Sequence, residues 1–81
     1  MTVKEHLILF LDYHLTNNSR FKTHDIQELS VRGEQKFGRR LGSTETYTRQ
    51  FRYLKRDMYT ISKFKSPNSM EAMWEVRRKH D

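Results

Sequence analysis

The 81-residue sequence contains no cysteine and only one proline, and it has no long apolar run. Without cysteine, a disulfide framework and a thiolate metal site are both excluded. No segment approaches the roughly 18 consecutive apolar residues of a membrane span. Lys4 and Glu5 follow the initial Met closely, which is unlike a secretory signal. We therefore expect a soluble intracellular protein.

Acidic residues are also scarce: 10 Asp and Glu stand against 16 Lys and Arg, and the formal net charge is +6 at pH 7. The charges of residues 1–20 cancel, so the whole excess lies beyond them. Small basic domains commonly bind polyanions, nucleic acid above all. The alternative is that the charge serves solubility alone.

Catalytic and metal-binding motifs are missing as well. The four histidines (His6, His14, His24 and His80) form no i, i+4 pair of the metalloprotease kind, and we interpret His6 and His14 as surface or interface residues. The three glycines do not make a phosphate-binding loop. We expect no enzymatic activity, no metal, no cofactor and no small-molecule ligand.

The most informative stretch is STETYTRQFRYLKRDM, residues 43–58. On a helix, four apolar side chains spaced four, three and four residues apart fall on one line: Tyr47, Phe51, Leu54 and Met58. Glu45 and three arginines fall on the opposite line: Arg49, Arg52 and Arg56. Ser43 is a suitable N-cap. The pattern predicts a helix with one buried face and one arginine-rich face.

Two further helices are predicted before it, so that helices cover about residues 2–15, 24–40 and 44–58. Thr2 and Glu5 form a capping box for the first helix, and Thr23 can cap the second. Gly33 lies on the apolar line of the second helix, which suits a position where another helix crosses closely. Arg32, Lys36 and Arg39 make a neighbouring basic stripe.

A hairpin is predicted at about residues 59–78. Tyr59–Lys65 is rich in β-branched and aromatic residues, and Ser66–Ser69 is a turn signal. In the following segment, apolar Ala72, Trp74 and Val76 alternate with other residues, as in a half-buried strand. Met70, Met73, Trp74 and Arg77 also have helical spacing, so a helix competes there. We favour the strand because the first strand would otherwise lack a partner.

The order of helix, short extended rung at Phe21-Lys22, helix, turn, basic helix and hairpin resembles the winged helix-turn-helix domain. The residues that carry the resemblance are Ile26, Leu29, the Leu41-Gly42-Ser43 turn, Tyr47, Phe51, Leu54, Tyr59–Lys65, Ser66–Ser69 and Trp74-Glu75-Val76. The resemblance implies an α+β fold in one domain over residues 1–81, with a three-helix core and a C-terminal wing. It also implies that the third helix enters the DNA major groove and that the wing lies near the backbone or minor groove.

On this hypothesis, base edges and phosphates are contacted by residues of the third helix and its surroundings. Arg49 and Arg52 have the planar fork that matches guanine O6 and N7. Glu45 can accept from cytosine N4 or, alternatively, orient Arg49 at i+4. The full set of expected DNA-contacting residues is Arg39, Thr44, Glu45, Thr48, Arg49, Arg52, Lys55, Arg56, Lys63, Lys65 and Asn68.

We predict sequence-specific binding of double-stranded DNA by a small transcriptional regulator or replication-origin binder of a phage or other mobile element. It would act in the cytoplasm with the nucleoid, or in the host cytoplasm if viral. Leu9, Phe10 and Tyr13 fall on a second apolar side of the first helix, and the two alternatives are that the fold wraps this side or that a homodimer contact covers it. The alternative function is a winged-helix adaptor without DNA binding, and RNA binding is a third, weaker interpretation.

Overall fold

The computed structural model describes residues 1–65 and 72–78. The fold is α+β, with three helices and a three-stranded antiparallel sheet in that part of the chain. The helices are α1 (Val3–Thr16), α2 (Thr23–Phe37) and α3 (Thr44–Asp57). The strands are β1 (Phe21–Lys22), β2 (Tyr59–Lys65) and β3 (Ala72–Arg78), and β3 lies in the centre of the sheet.

α1 begins at the expected capping box. The Glu5 backbone N–H donates to Thr2 Oγ1 at 3.2 Å, and the Thr2 N–H donates to Glu5 Oε1 at 3.0 Å. These two bonds satisfy backbone donors that a helix N-terminus leaves unpaired. The helix ends at Thr16, and Asn18 adopts a left-handed conformation with φ 51°. The polar loop therefore turns the chain directly into β1.

α2 ends earlier than the expected boundary near residue 40. Its last residue is Phe37, because Gly38 takes the left-handed conformation with φ 74° that commonly terminates a helix. Arg39 is therefore outside the helix, and the predicted basic stripe stops at Lys36. Residues 38–43 connect α2 to α3, and the Ser30 hydroxyl donates to the Gly42 carbonyl at 2.8 Å across this connection.

α3 begins at Ser43, whose Oγ accepts from the Thr46 N–H at 3.2 Å. Tyr47 and Leu54 are buried, and Phe51 is partly buried against the core. Met58 was expected on the same buried line, but it is 43% exposed. It lies one residue beyond the helix as its C-cap, where the 100° periodicity no longer sets side-chain direction.

The strand interpretation of residues 72–78 is confirmed, and the competing helix is wrong. β2 and β3 pair antiparallel with Tyr59 opposite Arg78 and Lys65 opposite Ala72. β1 adds to the other edge of β3, with Phe21 opposite Trp74. The short rung thus gives β3 a second partner. The expected turn at Ser66–Ser69 lies outside the described residues.

The core sits between α1, α2, α3 and one face of the sheet. Its buried apolar side chains are Val3, Leu7, Leu11, Phe21, Ile26, Leu29, Tyr47, Leu54, Tyr59 and Val76. Phe10 was expected to be free for a partner, but it is partly buried, with its ring 5.1 Å from that of Phe21. It therefore belongs to the core margin rather than to a bare surface.

His6 is a core residue, which corrects its interpretation as a surface or interface residue. It is 6% exposed, and 2.7 Å separates its Nδ1 from the Tyr47 hydroxyl. Its ring also meets that of Phe37 edge-on at 5.1 Å. Gly33 lies against this pair, since a Cβ there would be 3.2 Å from both His6 Cε1 and Tyr47 Oη. The close approach expected at Gly33 is thus confirmed, and its neighbours are His6 and Tyr47.

Buried His6 and partly buried His14 are expected to make stability depend on pH. Burial lowers the pKa of His6, and the charge of Lys36 lowers it further. Burial also lowers the pKa of His14, against opposing contributions from Ser19 and Asp25. The unfolded chain then binds more protons than the folded chain as pH falls below about 6.5. We expect the urea midpoint to be constant above neutral pH and to decrease from about pH 6.5 downward.

The matched variants for this prediction are His6→Gln and His14→Gln. Glutamine does not titrate and keeps a hydrogen-bonding group, so the pH slope between about 6.5 and 5.5 should become shallower even where the absolute stability falls. Equal slopes in the double variant and the wild type would show that other groups cause the dependence.

Gly42 is required by a close approach of the connection to α1. A Cβ at Gly42 would lie 2.6 Å from Val3 Cγ2, which is inside van der Waals contact. We expect Gly42→Ala to lower the free energy of unfolding by about 1–3 kcal/mol through overpacking. In a Val3→Ala background, the same change should cost clearly less, as measured by urea denaturation in a double-mutant cycle.

Gly38→Ala provides the control for that cycle. Apart from its own chain neighbours, no described residue places a heavy atom within 4 Å of a Cβ at Gly38, but its φ of 74° strains any L-residue with a side chain. Its cost of about 1–2 kcal/mol should therefore be the same with Val or Ala at position 3. A Gly42→Ala cost that is independent of Val3 would rule out the steric explanation.

Candidate functional site

The exposed face of α3 forms a continuous surface with one residue of α2. Glu45, Arg49 and Arg52 are exposed on α3, as the sequence predicted. They line a shallow groove whose other lining residues are Gln27, Thr44 and Thr48. This surface is here called the α3 groove. Because Tyr47 and Leu54 are buried on the opposite side, the fold holds α3 with its arginines outward.

Within the described part of the chain, the guanidinium groups of Arg49 and Arg52 have no carboxylate partner. Among the described residues, no carboxylate oxygen lies within 4 Å of a side-chain nitrogen of Arg49 or Arg52. The ion pair between Glu45 and Arg49 that one interpretation required is therefore not formed. Arg49 and Arg52 keep all five guanidinium donors of each group available to an anion or a base edge.

Thr44 and Thr48, at the start of α3, differ in whether the hydroxyl group already makes a hydrogen bond within the helix. Thr48 Oγ1 donates to the Thr44 carbonyl at 3.0 Å, so its proton is already used within the helix. Its oxygen can still accept, and Thr48 lines the α3 groove. Thr44 is exposed in the first turn, where the partial positive charge of the helix N-terminus favours an anion.

Arg56 does not continue the arginine line as expected. Its Nε and Nη2 donate to the two carboxylate oxygens of Asp57 at 2.8 and 3.2 Å, and this bidentate contact raises the pKa of Arg56. It lines a different depression together with Lys4, Gln50 and Tyr53. Arg56 therefore lies apart from the α3 groove.

Trp74 connects the end of α3 to the hairpin. The Nζ atom of Lys55 lies 4.7 Å from the centroid of the Trp74 ring, and that of Lys63 lies 5.6 Å from it. Both distances are within the range of a cation–π contact. The Trp74 indole N–H donates to Thr23 Oγ1 at 2.9 Å, which ties the same ring to the start of α2. Two predicted phosphate contacts from separate elements thus converge on one aromatic side chain.

Two arginines at the sheet share one carboxylate, unlike Arg49 and Arg52 of α3. Arg20 and Arg77 both reach the Glu75 carboxylate, at 3.5 and 3.1 Å. The Arg20 guanidinium also lies 4.6 Å from the Phe64 ring centre. One carboxylate thus faces two guanidinium groups here, whereas Arg49 and Arg52 on α3 have no carboxylate partner among the described residues.

The remaining expected contacts are distributed around this site. Arg39 is exposed in the connection between α2 and α3. Lys65 ends β2 and pairs with Ala72 by backbone register, whereas Asn68 and the side chain of Lys65 lie outside the described residues. The sequence reasoning missed Gln27 and the role of Trp74. For Gln27 a signal existed, since on a helix it lies off the apolar line of Ile26, Leu29 and Gly33.

No group of three His, Asp or Glu side chains within residues 1–65 and 72–78 is placed to bind a metal ion. In the same part of the chain, no helix combines the length and apolar character needed to cross a bilayer. Comparison with protein families, curated proteins and solved structures found no match to this chain.

Proposed function

We propose that this protein binds double-stranded DNA in a sequence-specific manner, with α3 in the major groove. The observation that carries the proposal is the pair of uncompensated guanidinium groups, Arg49 and Arg52, on the exposed face of a helix whose other face is buried. A major groove about 12 Å wide accommodates one α-helix, and arginine bound through two donors to guanine is the commonest specific contact.

The arrangement of the elements supports the same proposal. α2, a six-residue connection and α3 form a helix-turn-helix arrangement, and β2 and β3 follow as an antiparallel pair. We interpret the fold as a winged helix on this basis. Glu45 would then accept from cytosine N4, because it is not engaged with Arg49, and Gln27 would approach the groove edge from α2.

Backbone contacts would come from the lysines that surround α3. Lys55 and Lys63 are exposed, and they are positioned by Trp74 rather than by carboxylates. Arg39, Lys65 and Asn68 complete this phosphate-contacting set in the proposal, whereas Arg56 would first have to leave Asp57. Such contacts provide affinity that does not depend on sequence and that decreases with salt.

The proposed biological role is that of a small regulator of transcription or a replication-origin binder. Its compactness suits a phage or another mobile element. A protein adaptor is the second candidate function, and the exposure of Leu9 (49%) and Tyr13 (63%) is the observation that favours it.

The direct test is a gel shift of a random-sequence duplex in low salt, followed by selection of bound sequences from a random pool. We expect retardation at micromolar protein or below, with log K falling against log salt by about 0.9 for each phosphate neutralised. We also expect one enriched motif that contains guanine at the positions read by Arg49 and Arg52. Absence of retardation at micromolar protein would contradict DNA binding and favour the adaptor.

A further inference from the structure

A second groove lies between α1 and α2, on a part of the surface that includes no residue of α3 or of the sheet. We call it the α1–α2 groove. Its lining includes three residues of α1 (Leu9, Phe10 and Tyr13) and three residues of α2 (Leu29, Arg32 and Lys36). Because these residues do not overlap the α3 groove, the inference is independent of the proposed DNA binding.

α1 and α2 meet closely where His6 contacts Phe37, and the groove lies along the rest of their shared border. Each of them packs closely against α3, whereas their contact with one another is sparser. Rings fill the floor of the gap, where Phe10 stacks edge-on against His14 with 4.6 Å between centres. A third helix laid along this gap would complete the packing that α1 and α2 do not make with each other.

The α1 wall of the groove is apolar and exposed. Leu9 and Tyr13 are one helical turn apart on α1, and they are 49% and 63% exposed. Such a row at i, i+4 spacing is the pattern of a helix face that meets another helix. Small-molecule sites bury most of their ligand, so a groove with walls this exposed suits an elongated partner better.

The charge on the rim selects the kind of partner. Arg32 and Lys36 are also one turn apart, on the α2 side. Within residues 1–65 and 72–78, Lys36 has no carboxylate oxygen within 4 Å, and Arg32 is held only by exposed Glu28 at 3.1 Å. Surface ion pairs of this kind contribute little, so Arg32 can exchange its partner readily. A helix with carboxylates one turn apart would match both cations.

A second copy of the chain matches this rim poorly. The exposed row of α1 that would have to enter the groove offers one acidic residue, Glu5, next to Leu9 and Tyr13. Its carboxylate already accepts from the Thr2 N–H in the capping box. A symmetric dimer would also bring Arg32 and Lys36 of both copies toward the same interface, where like charges oppose association.

We propose that the α1–α2 groove binds an acidic amphipathic helix of another protein. From His6 to His14 the lining spans about two turns of α1, so the bound segment needs at least about two turns, or about 11 Å, of helix. Its apolar side chains pack on Leu9, Tyr13 and Leu29, and its carboxylates pair with Arg32 and Lys36. The α3 groove stays accessible while this partner is bound.

The experiment is a selection from a phage-displayed library of helix-forming peptides on the full-length protein, with counter-selection on Leu9→Asp. We expect enriched peptides to share apolar residues spaced three and four apart with Asp or Glu on the flank. A synthetic peptide with an enriched sequence should bind with a Kd in the micromolar range, and Leu9→Asp should raise this Kd at least about tenfold. Val31→Asp is the matched control, because Val31 is also 51% exposed on α2 but does not line the groove.

Charge exchange tests the rim directly. Arg32→Glu with Lys36→Glu should weaken the acidic peptide at least about tenfold and should strengthen a version in which its Asp and Glu are replaced by Lys. Circular dichroism establishes that each variant is folded. The proposal is overturned by the absence of enrichment, or by equal peptide affinity in Leu9→Asp and Val31→Asp. It is also overturned if sedimentation shows a homodimer that Leu9→Asp dissociates, since the occupant would then be a second copy.

Discussion

Replacing Arg49 and Arg52 together with alanine is expected to remove sequence-specific DNA binding while leaving the fold intact. Both guanidinium groups are exposed and without carboxylate partners in the described chain, so their loss should not cost stability. Each arginine that contacts a guanine through two donors is expected to contribute about 1–3 kcal/mol to binding and to base discrimination. Fluorescence anisotropy on the selected duplex and on variants mutated at single base pairs measures both quantities.

The control for this experiment is Arg32→Ala, which removes the same charge from the α1–α2 groove. It should leave the preferred sequence unchanged and reduce affinity only slightly, because it acts at a distance. Lys55→Ala should instead weaken all sequences alike and reduce the salt slope by about 1. If Arg49→Ala and Arg52→Ala leave binding to every duplex unchanged, the major-groove assignment of α3 is wrong.

Replacing Phe21 with alanine is expected to lower the free energy of unfolding by about 3–5 kcal/mol, as for other buried aromatic residues. Phe21 is 1% exposed and lies in the two-residue strand β1, where it meets rings from two helices. Its ring centre is 5.1 Å from that of Phe10 on α1 and 6.0 Å from that of Phe51 on α3. Its loss would leave a cavity at the junction of helices and sheet.

Urea denaturation measures this effect, and Phe64→Ala is the matched control. Phe64 has the same side chain on β2 but is 40% exposed, so it should cost much less. Since domains of this size have about 5–15 kcal/mol in total, Phe21→Leu provides a milder variant that remains folded. Similar losses for Phe21→Ala and Phe64→Ala would show that β1 is not part of the core.

The elements of the fold that depend on local sequence could be predicted, and those that depend on distant residues could not. Thr2, Ser43 and the alternation around Trp74 act over a few residues, and they led to the starts of α1 and α3 and to β3. The end of α2 was misplaced because Gly38 adopts its left-handed conformation where the basic pattern suggested a continuing helix.

The environment of His6 is an example of a feature that depends on residues distant in the sequence. Its hydrogen-bonding partner, Tyr47, is 41 positions away, and no periodicity in α1 indicates which helix will cross there. In the candidate site, the exposure of Arg49 and Arg52 followed from helical spacing alone. The capture of Arg56 by Asp57 did not, because it depends on one rotamer at the end of α3.

Trp74 is the only tryptophan of the chain, and its indole contacts Lys55, Lys63 and Thr23. Its intrinsic emission can therefore be assigned to one position without any added dye. Movement of either ammonium group toward an external phosphate changes the electric field at the ring and shifts the emission wavelength. We therefore expect Trp74 emission to report phosphate contact at the junction of α2, α3 and the hairpin.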